Sequence, residues 1–228
     1  MISMCTNIPY TEYDDDDDIV KEIDAFMEQI LPNRNVREYV WTLLASFLHG
    51  STKSEKFHFW TGTGGNGKSK LTELFEEAFG DYCCKLPISL LTQKRKGAGD
   101  ASPELARTKG KRFACLQEPD ENTNLNVGLM KEMTGGDKIQ ARALYKEPVE
   151  FKPQFKMVLC CNHLPKLPPD DGGVWRRVRI THFGSSFVDN PDPNNPNEFP
   201  KDENLSAKFE YWKEAFMWVE HANLTAYA

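Results

Sequence analysis

The chain has 228 residues, a formal net charge of −6, and a composition that is 39% hydrophobic and 27% charged. It is long enough to bury a full core, and no apolar run is long enough to cross a bilayer. The acidic balance argues against a protein that coats nucleic acid with its whole surface. The opening MISMCTNIPY lacks the regions of a signal peptide, so we expect an intracellular protein without a membrane partner.

Two amphipathic helices are predicted ahead of the first strand. Apolar residues recur at helical spacing over residues 19–31, which Pro32 ends, and over residues 36–49, which Gly50 ends. The aspartate run at residues 14–18 suits the N-terminus of the first helix. These helices predict an N-terminal helical segment, and simple packing on the main core is the alternative.

The sequence GTGGNGKS matches the phosphate-binding pattern G-x-x-x-x-G-K-[ST] at every fixed position. FHFWT predicts a strand before it, and KSKLTELFEEAF predicts a helix after it. Glycines let backbone N–H groups approach phosphates, and the helix N-terminus adds a favourable dipole. An ordinary glycine-rich turn is the weaker alternative. The predicted nucleotide-binding residues are Gly62, Gly64, Gly65, Asn66, Gly67, Lys68, which reaches the β- and γ-phosphates, and Ser69, whose hydroxyl contacts the magnesium ion.

An acidic residue follows the short apolar strand predicted over residues 112–116. A phosphate-loop ATPase needs an acid there to help hold magnesium and to polarise the attacking water. Glu118 fills that position, and Gln117 stands where a two-acid pattern would place its first carboxylate. A strand ending in glutamate is common, so this assignment depends on the phosphate loop. Weaker candidates for the acidic role are Asp120 and Glu121.

Asn162 ends a second, strongly apolar strand, predicted over residues 155–161. Its amide can orient the water that attacks the γ-phosphate, although asparagine is also a frequent turn residue. Farther on, WRRVRITHF places Arg176, Arg177 and Arg179 on or just before a strand. Guanidinium groups stay charged and bind oxygens bidentately, which suits γ-phosphate stabilisation. A charged edge strand is the alternative.

A hairpin is predicted over residues 139–151, with Tyr145 and Lys146 near its tip. An aromatic side chain beside a lysine can contact single-stranded nucleic acid by stacking and phosphate attraction. From these residues alone, an ordinary surface hairpin is the favoured interpretation. Residues 81–110 are predicted to be irregular, either as a solvated loop or as a loop that contacts phosphate groups.

Four segments together resemble the superfamily 3 helicase domain of poxvirus-type primase–helicases, which occur in nucleocytoplasmic large DNA viruses. They are GTGGNGKSKL, ASPELARTKGKRFACLQEP, LMKEMTGGDKIQARALYKEPVEFKPQFKMVLCCNHLP and DDGGVWRRVRI. The resemblance implies an α/β, AAA+-like P-loop fold with a parallel central sheet flanked by helices, plus an N-terminal helical subdomain. It implies ATP and Mg²⁺ as cofactors, single-stranded DNA as partner, and a homo-oligomer, a hexameric ring with ATP between subunits.

The resemblance also implies roles for single residues. Lys68 belongs to the phosphate loop, Glu118 to the acidic motif that holds the metal ion together with Ser69, and Asn162 is the polar sensor. Arg177 best matches the arginine finger supplied to the neighbouring subunit, and Arg176 is the alternative. The DNA-gripping loop of the family corresponds to Arg142, Tyr145 and Lys146, although the family's Lys-His pair is missing at the tip.

We therefore expect three successive segments: a helical segment over residues 1–50, the ATPase core over residues 51–184, and a linker with a C-terminal helix over residues 185–228. The leading hypothesis is the ATP-driven DNA helicase motor of a viral replicative primase–helicase, at replication sites in the host cytoplasm. The primase domain would lie elsewhere in the full-length protein. A nucleotide kinase and an ATP-switched DNA-binding module share the phosphate loop and stay open as alternatives.

Overall fold

The computed structural model describes residues 4–93, 101–117 and 124–227, with side chains as far as residue 224. The chain divides into two compact units. The helical unit contains residues 1–49, 62–81 and 182–228, and the sheet unit contains residues 50–61 and 82–181. This division differs from the three successive segments expected, because the phosphate loop and the helix after it group with the helices at both ends of the chain.

The sheet unit is built on a five-stranded sheet. Its strands are β1 (Phe57–Thr61), β2 (Cys83–Leu86), β3 (Phe113–Gln117), β6 (Lys156–Cys161) and β7 (Val178–His182). The spatial order is β2-β3-β6-β1-β7, and the pairs β2–β3, β3–β6 and β6–β1 are parallel. Parallel strands buried on both faces require nearly continuous apolar runs, which FHFWT and KMVLCC provide. The expected α/β architecture with a parallel central sheet is confirmed.

Four short helices of the sheet unit contribute to one buried core with alternate strand residues. They are α4 (Ser89–Thr92), α5 (Pro103–Ala106), α6 (Val127–Thr134) and α7 (Gly172–Trp175). Leu91, Leu105, Met130 and Val174 from these helices cluster with strand residues such as Phe59. The prediction that residues 81–110 are irregular was wrong in part, since β2, α4 and α5 lie within this stretch.

The predicted hairpin is present in the sheet unit. Its strands β4 (Ile139–Ala141) and β5 (Val149–Phe151) pair antiparallel, with Ile139 opposite Phe151. A Lys138–Glu150 ion pair of 3.1 Å lies at the open end of this ladder. Because each strand has only three residues, the turn between them projects as a short, exposed tip.

The helical unit packs four helices around an aromatic core. They are α1 (Asp18–Ile30), α2 (Arg34–Leu48), α3 (Lys68–Phe79) and α8 (Leu205–Tyr227). Phe75 stacks on Phe79 with ring centroids 4.2 Å apart, and Phe216 of α8 meets Trp41 of α2 at 5.6 Å. Aromatic pairs of this kind add stabilisation beyond their buried area. Across the described residues, no helix combines the length and the apolar character that a membrane span needs.

A small two-stranded sheet lies in the segment predicted as a linker. Its strands β8 (Ser186–Val188) and β9 (Glu198–Pro200) pair parallel, and Phe187 contacts Phe199 with ring centroids 5.6 Å apart. Composition suggested a linker, because Pro, Asn and Asp dominate the turn between the strands. The two phenylalanines supply the apolar contact that orders it.

Candidate functional site

The phosphate loop follows β1 directly and belongs to the helical unit. Gly62 has φ of 146°, and a Cβ there would meet the backbone oxygen of Phe183 at 2.4 Å. Gly67 has φ of 84°, and a Cβ there would stand 2.3 Å from the Ile30 side chain. Both positions therefore require glycine, on conformational and on steric grounds. Between them, Thr63, Gly64 and Gly65 are exposed, so the backbone of the loop is open to a ligand.

Two buried polar side chains hold the loop in shape. The Lys68 ammonium donates to the Gly62 carbonyl and, at 3.0 Å, to the Asn66 Oδ1. The Asn66 amide in turn donates to the Thr63 carbonyl. Lys68 and Asn66 are only 6% and 3% exposed, so a buried cation lies beneath the exposed loop. That arrangement suits an anionic group, because a phosphate can replace the carbonyl oxygens as partner of the ammonium.

The segment after β7 supports the loop, which the sequence did not indicate. The Phe187 N–H donates to the Gly65 carbonyl at 2.7 Å, and the Phe187 ring lies against Gly67. The Ser185 hydroxyl donates to the Gln29 carbonyl, which ties this segment to the end of α1. The only signal in the sequence was the apolar pair Phe183 and Phe187 beside a polar stretch.

Of the residues expected at two other strand ends, Asn162 lies in the described part of the sheet unit. Glu118 lies outside the described residues, as do Asp120 and Glu121. Asn162 is exposed directly after β6, and the sheet register pairs Thr61 with Cys161. Asn162 thus leaves the same edge of the parallel sheet as the end of β1, the edge at which ligands bind in open α/β sheets.

The described residues are compatible with the expected magnesium ion, although they do not form a complete set of metal ligands. Ser69 lies exposed in the first turn of α3, where its hydroxyl can reach an ion beside the phosphates. Among the described residues, no cluster of three or more His, Cys, Asp or Glu side chains could hold a metal ion. Mg²⁺ commonly uses one or two protein ligands together with phosphates and waters, so this donor set is compatible with it.

The two candidate finger arginines occupy different environments. Arg177 is 6% exposed, and its guanidinium donates to the Thr134 hydroxyl at 3.1 Å and to the Gly173 carbonyl at 2.7 Å. It also pairs with Glu55 at 3.0 Å. Arg176 pairs with the same carboxylate at 2.8 Å, but 61% of its side chain is exposed. A finger has to reach another subunit, so we transfer the proposed role from Arg177, the better sequence match, to Arg176.

Further cations surround Arg176. Burial lowers the pKa of Lys56, and the nearby Arg179 and Arg176 lower it further. The Lys56 ammonium donates to the Arg176 carbonyl at 2.9 Å. The acidic chain therefore carries a local positive surface at the start of β7.

The hairpin tip exposes the residues expected to contact DNA. Tyr145 is fully exposed with φ of 57°, a left-handed conformation, and Leu144 beside it is 58% exposed. Arg142 donates from Nε to the Lys146 carbonyl at 3.1 Å, and its backbone is bonded in both directions to Ser102. The tip thus presents an unburied aromatic ring on an anchored turn.

Comparison with known proteins identifies a family to which this chain belongs. A family model described as "Family of unknown function (DUF5906)" matches residues 60–177, more than half of the chain. The chain belongs to this family. The DUF5906 segment runs from the end of β1 through the hairpin to Arg177, and so contains the phosphate loop, Asn162 and both candidate fingers.

Two viral proteins are similar over most of the chain. "Putative helicase L207/L206" of Acanthamoeba polyphaga mimivirus is 46% identical over 224 residues, which cover 95% of this chain and 23% of that protein. "Putative helicase 022R" of Frog virus 3 (isolate Goorha) is 35% identical over 207 residues, which cover 87% of this chain and 21% of that protein. The chain therefore spans about a fifth of the length of the curated relatives it matches.

A solved structure shares the fold. "The A form apo structure of NrS-1 C terminal region-CTR" superposes with a TM-score of 0.68 and covers 96% of this chain and 50% of that chain. Its sequence identity is 13%, so the likeness concerns the fold alone.

Proposed function

We propose that this chain is the ATP-dependent motor domain of a viral-type DNA helicase, of superfamily 3 and AAA+-like. The observation that carries the proposal is the phosphate loop: a backbone open to solvent, fixed at Gly62 and Gly67, where no Cβ fits, over the buried ammonium of Lys68. The viral relatives named as helicases support a helicase-like function in a general sense. Together they favour ATP as the ligand and nucleic acid as the substrate.

Each residue has a defined task in the proposed cycle. Bound Mg–ATP supplies the phosphoryl group that water attacks. Lys68 would neutralise the β- and γ-phosphates, and the Ser69 hydroxyl would help to hold the metal ion. Asn162 orients the water, and Glu118 polarises it. Arg176 reaches the nucleotide of the neighbouring subunit and stabilises the charge that develops on the γ-phosphoryl oxygens.

The proposed assembly is a homo-oligomeric ring, a hexamer, around single-stranded DNA. A net charge of −6 is compatible with DNA binding if the cations converge on a central channel and the acidic surface faces outward. We place Tyr145, Lys146 and Arg142 in that channel. We also propose that a primase domain lies elsewhere in the full-length protein. The proposed location is intracellular, at viral replication sites.

Single-stranded DNA should stimulate ATP hydrolysis, and the hairpin tip should carry this effect. Tyr145→Ala is expected to weaken binding of single-stranded DNA by about 1–3 kcal/mol, the usual contribution of one stacked base. Tyr211→Ala is a matched control, because Tyr211 is also highly exposed, at 75%, but lies on α8. Fluorescence anisotropy with a labelled oligonucleotide and steady-state ATPase assays measure both effects. If DNA does not bind the unmodified chain, or binds without stimulating hydrolysis, the helicase proposal fails.

Mixing two inactive variants should restore activity if Arg176 acts across an interface. Lys68→Ala subunits keep the finger, and Arg176→Ala subunits keep the phosphate loop. An equal mixture is expected to recover about a quarter of the unmodified turnover, because random assembly places an intact loop beside an intact finger at that frequency. Steady-state ATPase of the mixture measures this. Turnover no higher than that of the separate variants would contradict a shared site.

A further inference from the structure

Arg177 connects three segments of the sheet unit. Its guanidinium donates to the last residue of α6, Thr134, to the Gly173 carbonyl in α7, and to the carboxylate of Glu55 before β1. Thr134 itself donates to the Met130 carbonyl at 2.8 Å, so its hydroxyl is oriented to accept from Arg177. With 6% of the residue exposed, Arg177 is shielded from water, which makes these charge-assisted bonds strong and their geometry well defined.

A second contact joins α6 to α7. Lys131 donates to both oxygens of Asp171, at 2.6 and 2.8 Å, and Asp171 caps α7 through the Val174 N–H. The hydrogen bond from Lys131 holds the pKa of Asp171 below its usual value, so this carboxylate stays charged at neutral pH. The short helix α7, which directly precedes Arg176, is therefore attached to α6 near both of its ends.

Helix α6 continues directly into the hairpin. Gly135 and Gly136 follow Thr134, Gly136 with φ of 77°, and β4 begins three residues later. A cavity of about 470 Å³ lies at this root and is lined by residues that include Glu55, Gly136 and Lys152. The hairpin root thus combines a left-handed glycine with an adjoining cavity.

Glu55 serves both arginines. Its carboxylate lies 2.8 Å from Arg176 and 3.0 Å from Arg177, and its backbone has φ of 52°, which is strained for a residue other than glycine. If Arg176 leaves for a phosphate on another subunit, Glu55 keeps Arg177 as its buried partner. The structure shows the shared arrangement, and after that release the carboxylate would belong to Arg177 alone.

We propose that Arg177 is a positioning residue that couples the finger to the DNA-contacting hairpin. Release of Arg176 from Glu55 changes the ion pair of Arg177, and the Arg177–Thr134 bond passes this change to α6 and the hairpin root. By the reciprocity of linked equilibria, DNA bound at the tip shifts Arg176 between Glu55 and the phosphate. This inference rests on the proposed helicase function and deepens it.

Thr134→Val tests the coupling, because valine keeps the shape of the side chain and removes only the hydroxyl that accepts from Arg177. We expect unchanged ATPase without DNA and a DNA-stimulation ratio lowered by about 5-fold or more, the lower range of ordinary coupling. Thr134→Ser keeps the hydroxyl and should restore the ratio. Thr108→Val is the matched control: Thr108 is also buried, at 0% exposed against 4% for Thr134, and its hydroxyl donates to the Leu105 carbonyl, which lies outside the Arg177 contacts.

Glu55→Gln supplies a second test, with a different expected effect on ATPase without DNA. A neutral amide holds Arg176 more weakly, so ATPase without DNA should rise while the stimulation ratio falls. General damage to the fold would lower both, and thermal melts of every variant identify such damage. An unmodified chain without DNA stimulation refutes the proposed function itself. If DNA stimulates the ATPase of the unmodified chain and of Thr134→Val equally, only the proposed coupling is overturned. Equal losses in Thr134→Ser and Thr134→Val also overturn it.

Discussion

Replacing Lys68 with alanine is expected to lower ATP turnover by about 100-fold or more, the usual loss when one charged donor to a developing phosphoryl charge is removed. The Lys68 ammonium lies beneath the exposed loop and donates to the Gly62 carbonyl and to the Asn66 Oδ1, both uncharged acceptors that cannot replace its positive charge. Steady-state ATPase assays measure the loss, and nucleotide binding by calorimetry separates affinity from turnover.

Lys70→Ala provides the control for that experiment. Lys70 lies on the same helix two residues later, and it pairs with Glu73 at 2.9 Å and with Ser206 rather than with the loop. Its removal should change turnover less than about 2-fold, since half-exposed ion pairs contribute little. Turnover in Lys68→Ala close to that of Lys70→Ala would refute the assignment of the phosphate loop.

Gly67→Ala is expected to destabilise the chain by about 2–5 kcal/mol, the sum of overpacking and of a strained backbone. The new Cβ would lie 2.3 Å from the Ile30 Cγ2, and φ of 84° disfavours any side chain. At roughly 2–4 °C for each kcal/mol, the melting temperature should fall by about 4–20 °C. Urea and thermal melts followed by circular dichroism measure the change.

Gly64→Ala is the internal control within the same loop. A Cβ at Gly64 meets nothing within 4 Å, so its melting temperature should lie within about 1–2 °C of the original, the range of neutral surface substitutions. Equal stability of Gly67→Ala and Gly64→Ala would show that the contact between the loop and Ile30 does not hold in solution.

The phosphate loop and its helix could be predicted from the sequence because their determinants are local. Fixed residues at fixed spacing define the loop, and the apolar face of KSKLTELFEEAF predicts residues 68–79, the bounds of α3. The same holds for the hairpin, where alternating strand residues flank a turn. In these segments, neighbours in sequence decide the conformation.

The supports of the loop could not be predicted, because they depend on contacts between distant residues. Phe187 is more than a hundred positions from Gly65, and its environment of Pro, Asn and Asp suggested a linker. The choice between Arg176 and Arg177 is similar: the two are adjacent and chemically identical, and only the fold buries one against Thr134. Glu55 carries no motif at all and becomes significant through its two ion pairs.

The interleaving of the two units has a practical consequence for fragments of this protein. A piece cut to the family match, residues 60–177, would retain every fixed residue of the loop but would lose Ile30, Phe183 and Phe187. Such a piece would carry the recognition motif without the contacts that shape it. The smallest fragment that keeps the loop in this shape therefore has to include α1 and β8, so it is set by three-dimensional contacts and not by the boundaries of sequence similarity.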